Sequence, residues 1–190
     1  MRLGLITDIH SNLEALRAVL QRLDQLGYDQ MVCLGDIVGY NANPNEVIDI
    51  LRARRIPRIM GNHDAIVAGI EDASTYNDKA RIALDWHISQ IRPDNRRWLA
   101  EAREKLAIGE DLMAVHGSPT DRDLYLLDWM DAMEEFLALD GTGVRVCFYG
   151  HTHRASIFGE HSHVTTTIQE NRCHLNPSNR YFVNPGSVGQ

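Results

Sequence analysis

The chain has 190 residues, 44% of them apolar and 24% charged, and carries a formal net charge of −7. This length suits a single domain with a sizeable core, and the acidic balance argues against a dedicated nucleic-acid binder, which would carry a basic stripe. Three scattered cysteines, Cys33, Cys147 and Cys173, with no C-x-x-C pair, read as reduced thiols, so a cytoplasmic location is expected. The apolar run in MRLGLITD is too short for a signal peptide or a membrane span, and no later run is long enough either; no membrane partner is expected.

In chain order, residues 2–7 read as a buried first strand. Ser11-Asn12-Leu13-Glu14 has the spacing of a capping box. Leu13, Leu16, Leu20 and Leu23 then recur at helical spacing up to a stop at Gly27. Residues 30–34 give a second strand. Asn43-Pro44 opens a second helix with Val47, Ile48 and Leu51 inward, and residues 56–60 give a third strand. This β-α-β-α-β order builds a parallel sheet. Helices are expected over residues 76–91 and 93–106, then a strand at 112–115 and a helix at 129–139. Strands follow at 144–149, 155–158, 164–168 and 181–183. Trp86 and Trp98 are assigned to the core, and Tyr40, Asn41 and Arg154 are candidates to line a pocket.

The chemistry lies at the strand ends. They read Thr7-Asp8-Ile9-His10, Gly35-Asp36, Gly61-Asn62-His63-Asp64, His116-Gly117 and Gly150-His151-Thr152-His153. Open α/β sheets bind ligands at the carboxyl ends of their strands. Each residue alone also suits a turn. Unrelated turns, however, have no reason to gather carboxylates, an amide and five histidines at one end of a sheet. Imidazole and carboxylate without thiolate suit first-row ions: manganese first, with iron, zinc or nickel as others. The donors are too many for one tetrahedral ion and fit a pair sharing one carboxylate.

In this order the blocks resemble the calcineurin-like metallophosphoesterase superfamily, and Asn184-Pro185-Gly186-Ser187 resembles its small bacterial and archaeal phosphodiesterase branch. The resemblance implies a four-layer α/β/β/α sandwich of two mixed sheets flanked by helices. It implies two divalent ions, one held by Asp8, His10 and His153, the other by Asn62, His116 and His151, with Asp36 between them. His63 would contact the phosphate or leaving group, and Asp64 would support the site. The implied reaction is hydrolysis of a small phosphoester by in-line attack of a hydroxide shared by the metals. No arginine follows Gly35-Asp36, and Gly39 stands where a protein phosphatase carries an aspartate. Both departures favour a phosphodiesterase over a protein phosphatase or a symmetrical dinucleoside-tetraphosphate hydrolase.

Two alternatives stay open: a phosphomonoesterase, protein phosphatase or nucleotide hydrolase of the same superfamily, and a non-catalytic protein-binding scaffold on the same fold. Residues 1–190 are expected to form one domain, with residues 71–106 a helical insertion over the crevice or at an oligomer contact. Relatives continue with further strands after residue 187, so a truncated C-terminus and a homo-oligomer are both expectations. His161-Ser162-His163 repeats the H-x-H spacing without glycine or aspartate company and is assigned no role; nor are His87 and His174.

Overall fold

The computed structural model describes residues 1–74, 76–161 and 172–190. It opens with β1 (Leu3–Ile6), α1 (Leu13–Leu26), β2 (Gln30–Cys33) and α2 (Pro44–Ala53). Then come α3 (Asn62–Ala68), α4 (Asp78–Gln90), α5 (Pro93–Ala100), β3 (Leu106–Ile108) and β4 (Leu112–Ala114). It ends with α6 (Trp129–Phe136), a 3-10 turn (Leu137–Leu139), β5 (Val146–Phe148), β6 (Ser156–Gly159) and β7 (Tyr181–Asn184). Strands β1 and β2 pair in parallel as one sheet. The second is mixed, in the order β3-β4-β5-β7-β6, with β4, β5 and β7 parallel to one another.

Side-chain alternation makes the layers. On β2, Met31 and Cys33 point into a cluster with Leu16 and Leu20 of α1 and Val47, Ile48 and Leu51 of α2. Val32 and the following Leu34 point the other way, into a cluster with Ile108, Ala114 and Phe148 of the second sheet. On that sheet's far face Cys147, Tyr149 and Phe182 pack against Ala132 and Phe136 of α6. A period of two on strands sandwiched between helices yields the four layers implied above.

Several boundaries differ from expectation. The capping residue of α1 is Asn12, whose side chain accepts from the Ala15 N–H at 3.0 Å; Ser11 turns away at φ 58°. Residues 56–60 run beside β2 but form only isolated bridges, Cys33 to Arg58 and Ile59 to Arg103. Pro57 has no N–H to give to a ladder. The helix expected to reach 106 ends at Ala100, because the Arg103 carbonyl accepts from Met60 N–H and Leu106 joins β3. Trp86 is 41% exposed rather than core, since the buried stripe of α4 is Ala80, Leu84 and His87. Trp98 packs at the edge of the α1–α2 core. The strand expected at 164–168 lies outside the described residues. So do Ser162 and His163, while His161 is exposed. Among the described residues no helix is long and apolar enough to cross a membrane.

Candidate metal centre

Both sheets deliver their carboxyl ends to one place. Asp8 and His10 follow β1, Asp36 follows β2, His116 follows β4, and His151 and His153 follow β5. Asn62, His63 and Asp64 form the first turn of α3, which was expected to be only a strand-end turn. Every one of these residues is buried except His153, which is partly exposed.

Two groups of ligand atoms emerge, each with all atoms within 4.8 Å of one another. One is Asp8, His10, Asp36 and His153; the other is Asp36, His116 and His151; Asp36 belongs to both. Its Oδ2 lies 3.7 Å from His10 Nε2 and 3.5 Å from His116 Nε2. His10 Nε2 stands 3.0 Å from His153 Nε2, and Asp8 Oδ1 lies 3.5 Å from the latter. Asn62 Oδ1 lies 3.1 Å from His116 Nε2.

The second hydrogen bond of each ring fixes which nitrogen faces inward. His10 Nδ1 donates to the Val38 carbonyl at 3.1 Å and His116 Nδ1 to the Leu34 carbonyl at 2.8 Å. In the neutral rings both Nε2 lone pairs then point at Asp36. His151 Nε2 donates to the Asp123 carbonyl at 3.1 Å, leaving Nδ1. Such outer bonds hold a metal-binding imidazole in tautomer and orientation. With the rings neutral, lone pairs and carboxylates converge into a set that a cation satisfies, so the residues present fit divalent ions.

The backbone is bent to the same end. Asp8, His10, Asp36, His151 and His153 all have left-handed φ, between 46° and 63°. Gly61 must be glycine, because a Cβ there would enter the Asp36 carboxylate. Asp64 accepts the Ile37, Val38 and Gly61 N–H groups at 2.9, 3.1 and 3.2 Å, tying the Asp36 loop to α3. The Asn184–Ser187 block braces the other side. Asn184 donates to the Gly150 carbonyl at 2.6 Å, Ser187 Oγ donates to the Asp8 carbonyl at 3.0 Å, and Gly189 N–H also reaches Asp8 O.

His63 lines the cavity but belongs to neither ligand group. Its Nδ1 is buried without a hydrogen-bond partner and lies against Gly39, where any side chain would collide with it. The cavity, about 230 Å³, is lined by Asp36, Tyr40, Asn62, His63, Tyr125, His151, Thr152, His153 and Gln190. Tyr40 is thus at the site. Asn41 is not, since its amide is spent on the His10 and Gly189 carbonyls, and Arg154 is exposed away from it.

Sequence reasoning missed Tyr125, which stacks on His151 with ring centroids 3.9 Å apart, and Tyr76, whose hydroxyl accepts from Asn62 Nδ2 at 2.5 Å. The signal for the first was the long connection 115–128 between β4 and α6, since a loop of that length inside a compact domain is usually functional. His87, assigned no role, is fully buried and bonds Ser11 Oγ at 3.1 Å, next to His10.

Electrostatics separate these groups in the metal-free protein. Burial drives His10 and His151 down to about 4 and also lowers His63. Burial lowers His116 too, but Asp36 outweighs it and raises the ring to about 9. Burial would raise Asp36, yet His116, His63 and His10 hold it well below the usual carboxylate range. Burial and then Asp36 raise Asp64 to about 7. Below pH 6.5 the unfolded chain protonates histidines that folded His10 and His151 keep neutral, so stability is lost as the pH falls toward 4. Asp64 opposes this trend, but it is one group against four, since burial lowers His63 and His87 as well. From 6.5 to 9 folded His116 holds a proton that the unfolded chain releases, so stability is lost as the pH rises. Thermal melts in chelator should therefore show a maximum near pH 6.5; a melting temperature climbing from 6.5 to 9 would contradict these assignments.

The model of the calcineurin-like phosphoesterase superfamily domain matches residues 1–190. An uncharacterized protein of Methanocaldococcus jannaschii is 32% identical over 191 residues, covering 99% of this chain and 76% of that protein. The crystal structure of a metallophosphoesterase from Sphaerobacter thermophilus superposes with a TM-score of 0.80 at 32% identity, covering 100% of this chain and 78% of that one. A hypothetical protein from Pyrococcus horikoshii OT3 shares the fold at a TM-score of 0.79 and 18% identity, over 99% of this chain and 77% of its own. With strand-end blocks, layers and full-length match in agreement, this chain belongs to the calcineurin-like phosphoesterase superfamily.

Proposed function

We propose that the protein is a dinuclear metal-dependent phosphodiesterase, active on small phosphoesters. The observation that carries this reading is the pair of ligand groups sharing Asp36. Asp8, His10, Asp36 and His153 would hold one ion, and Asp36, Asn62, His116 and His151 the other, with manganese the first choice. When bound, two divalent ions would supply electrostatic stabilisation to the phosphoryl oxygens and lower the pKa of water to near neutral.

The chain's own residues do the rest. Asp8 and Asp36 offset part of the ions' charge and leave the site net positive inside an acidic protein, which draws an anionic ester inward. His63 stands free of the ligand groups and would give a hydrogen bond or proton to the departing oxygen. Asp64 holds the Asp36 loop in place through three backbone N–H groups.

Charge also favours a diester. Among the described residues no lysine or arginine lines the 230 Å³ cavity. A monoester dianion ordinarily calls for such a clamp, whereas a diester monoanion carries one charge fewer. The scaffold alternative would spare neither His63's unpartnered nitrogen nor two complete ligand groups, and it is the weaker reading. Hydrolysis of bis-p-nitrophenyl phosphate by protein loaded with manganese, abolished by chelator and restored by the ion, is the expected result. Absence of any metal-dependent turnover on it or on p-nitrophenyl phosphate would favour the scaffold.

A further inference from the structure

The cavity at the ligand groups is too small and too polar to house the organic part of an ester as well. It opens on two sides. Toward the connection 115–128 it meets a cleft of about 300 Å³ lined by Asn62, Tyr76, Asp123 and Tyr125 among others. Toward α4 it meets a groove of about 580 Å³, and Tyr40 lines both spaces. That groove has an apolar wall: Tyr40, Ile82 and Trp86 are 38%, 68% and 41% exposed. Lys79 sits in the same lining.

Single exposed apolar residues need no explanation. Three on one groove that abuts a polar reaction centre form a composed surface. Trp86 lies off the buried stripe of α4, so packing of the helix does not call for an indole there. The wall is also held in register with the centre. His87, the next residue, bonds Ser11 Oγ at 3.1 Å and the Ala83 carbonyl at 2.7 Å, fixing α4 against the loop that carries His10.

We propose that this groove is the seat of one ester arm of the substrate, and that the arm is a flat aromatic ring of the nucleobase kind. The inference rests on the phosphoesterase reading for its phosphate, and adds to it the class of group that the phosphate carries. Three features choose this exit over the cleft at Asp123 and Tyr125. Its rim bears Lys79 with no carboxylate among the described lining residues, whereas the other rim bears Asp123, whose charge the Arg122 guanidinium offsets at 3.0 Å, so an anionic ester is drawn toward the first side. His63 packs closer on Tyr40, with ring centroids 4.8 Å apart, than on Tyr76 of the other cleft at 5.7 Å, so an arm leaving past His63 emerges first onto the Tyr40 wall. Finally, indole and phenol faces stack on planar heteroaromatic rings with little loss of side-chain freedom, a preference that an aliphatic arm does not share.

The test compares two ligands with the same phosphate. Binding of adenosine 5′-monophosphate and of ribose 5-phosphate to the manganese-loaded protein is measured by isothermal titration calorimetry. The wild type should bind the nucleotide about tenfold more tightly. Trp86→Ala should remove that preference by weakening the nucleotide alone, leaving ribose 5-phosphate unchanged, while Trp86→Phe should keep most of it. Ile82→Glu, on a side chain already largely exposed, should also lower nucleotide affinity and guards against a folding artefact at position 86. Equal affinities in the wild type, or a preference that survives in both Trp86→Ala and Ile82→Glu, would overturn the proposal. If neither bis-p-nitrophenyl phosphate nor p-nitrophenyl phosphate is hydrolysed yet the Trp86-dependent preference remains, the hydrolase reading falls and the aromatic subsite stands.

Discussion

Asp36→Asn lowers kcat/KM on bis-p-nitrophenyl phosphate by at least about 10³-fold and leaves fewer ions per chain than the wild type holds. Asp36 is the residue common to both ligand groups, so its loss is felt by both. The substitution keeps the shape and keeps Oδ1, which accepts the His63 N–H at 3.0 Å. What changes is the other atom. An amide NH₂ replaces the oxygen that now lies 3.7 Å from His10 Nε2 and 3.5 Å from His116 Nε2. A donor then faces two ring nitrogens, and one of the two negative charges that offset the ions is gone. Metal content by plasma emission spectroscopy, taken alongside initial rates, separates this from misfolding, because the isosteric variant preserves the backbone contacts. A variant that keeps two ions and stays within tenfold of wild-type rate would sink the shared-carboxylate reading.

His63→Asn has the opposite signature: kcat falls by roughly 10²- to 10³-fold while both ions stay bound and KM moves little. The reason is that the hydrogen bond His63 gives the ligand set, to Asp36 Oδ1, comes from its backbone N–H, which asparagine retains, while its ring packs edge-on against His10 with centroids 4.9 Å apart and holds no ligand by a hydrogen bond among the described residues. Its ring lines the cavity, its Nδ1 has no partner, and Gly39 leaves no room for a carboxylate behind it. Asparagine can offer a hydrogen bond to a departing oxygen but cannot surrender a proton. The loss should therefore be larger for an ester with an alkyl leaving group than for one with p-nitrophenol, whose anion departs without help. Wild-type rates on both esters, with metal content intact, would remove His63 from the reaction.

Much of the centre was legible because the β-α-β pattern fixes which ends of the strands share a crevice. The β-α-β-α-β order placed Asp8, His10, Asp36 and Asn62 at one crevice, while His116, His151 and His153, which follow strands of the second sheet, were joined to them by the order of the blocks and the family resemblance. The supports were not legible, because they depend on contacts across the fold. Asp64 by itself suited a turn and was given a supporting place only by the resemblance; its three N–H partners show what it supports. Tyr125 sits in a loop without periodicity, and Tyr76 meets Asn62 only through the packing of residues before α4. The errors of extent have a common origin. At residues 56–60 and 101–106, local pattern and propensity were overruled by the competition for backbone hydrogen bonds between Cys33, Ile59, Met60 and Arg103.

The left-handed backbone at Asp8, His10, Asp36, His151 and His153 bears on how such a chain changes under selection. For a residue with a Cβ this region costs on the order of 1 kcal/mol or more. Five such positions together approach the whole net stability of an ordinary domain, about 5–15 kcal/mol. Glycine or asparagine would relieve that cost at each of them. A library scored on expression or solubility alone would drift toward those residues at these five positions, yielding sturdier protein with no metal centre. Any screen for variants of this chain therefore has to retain a readout of hydrolysis or metal content in every round.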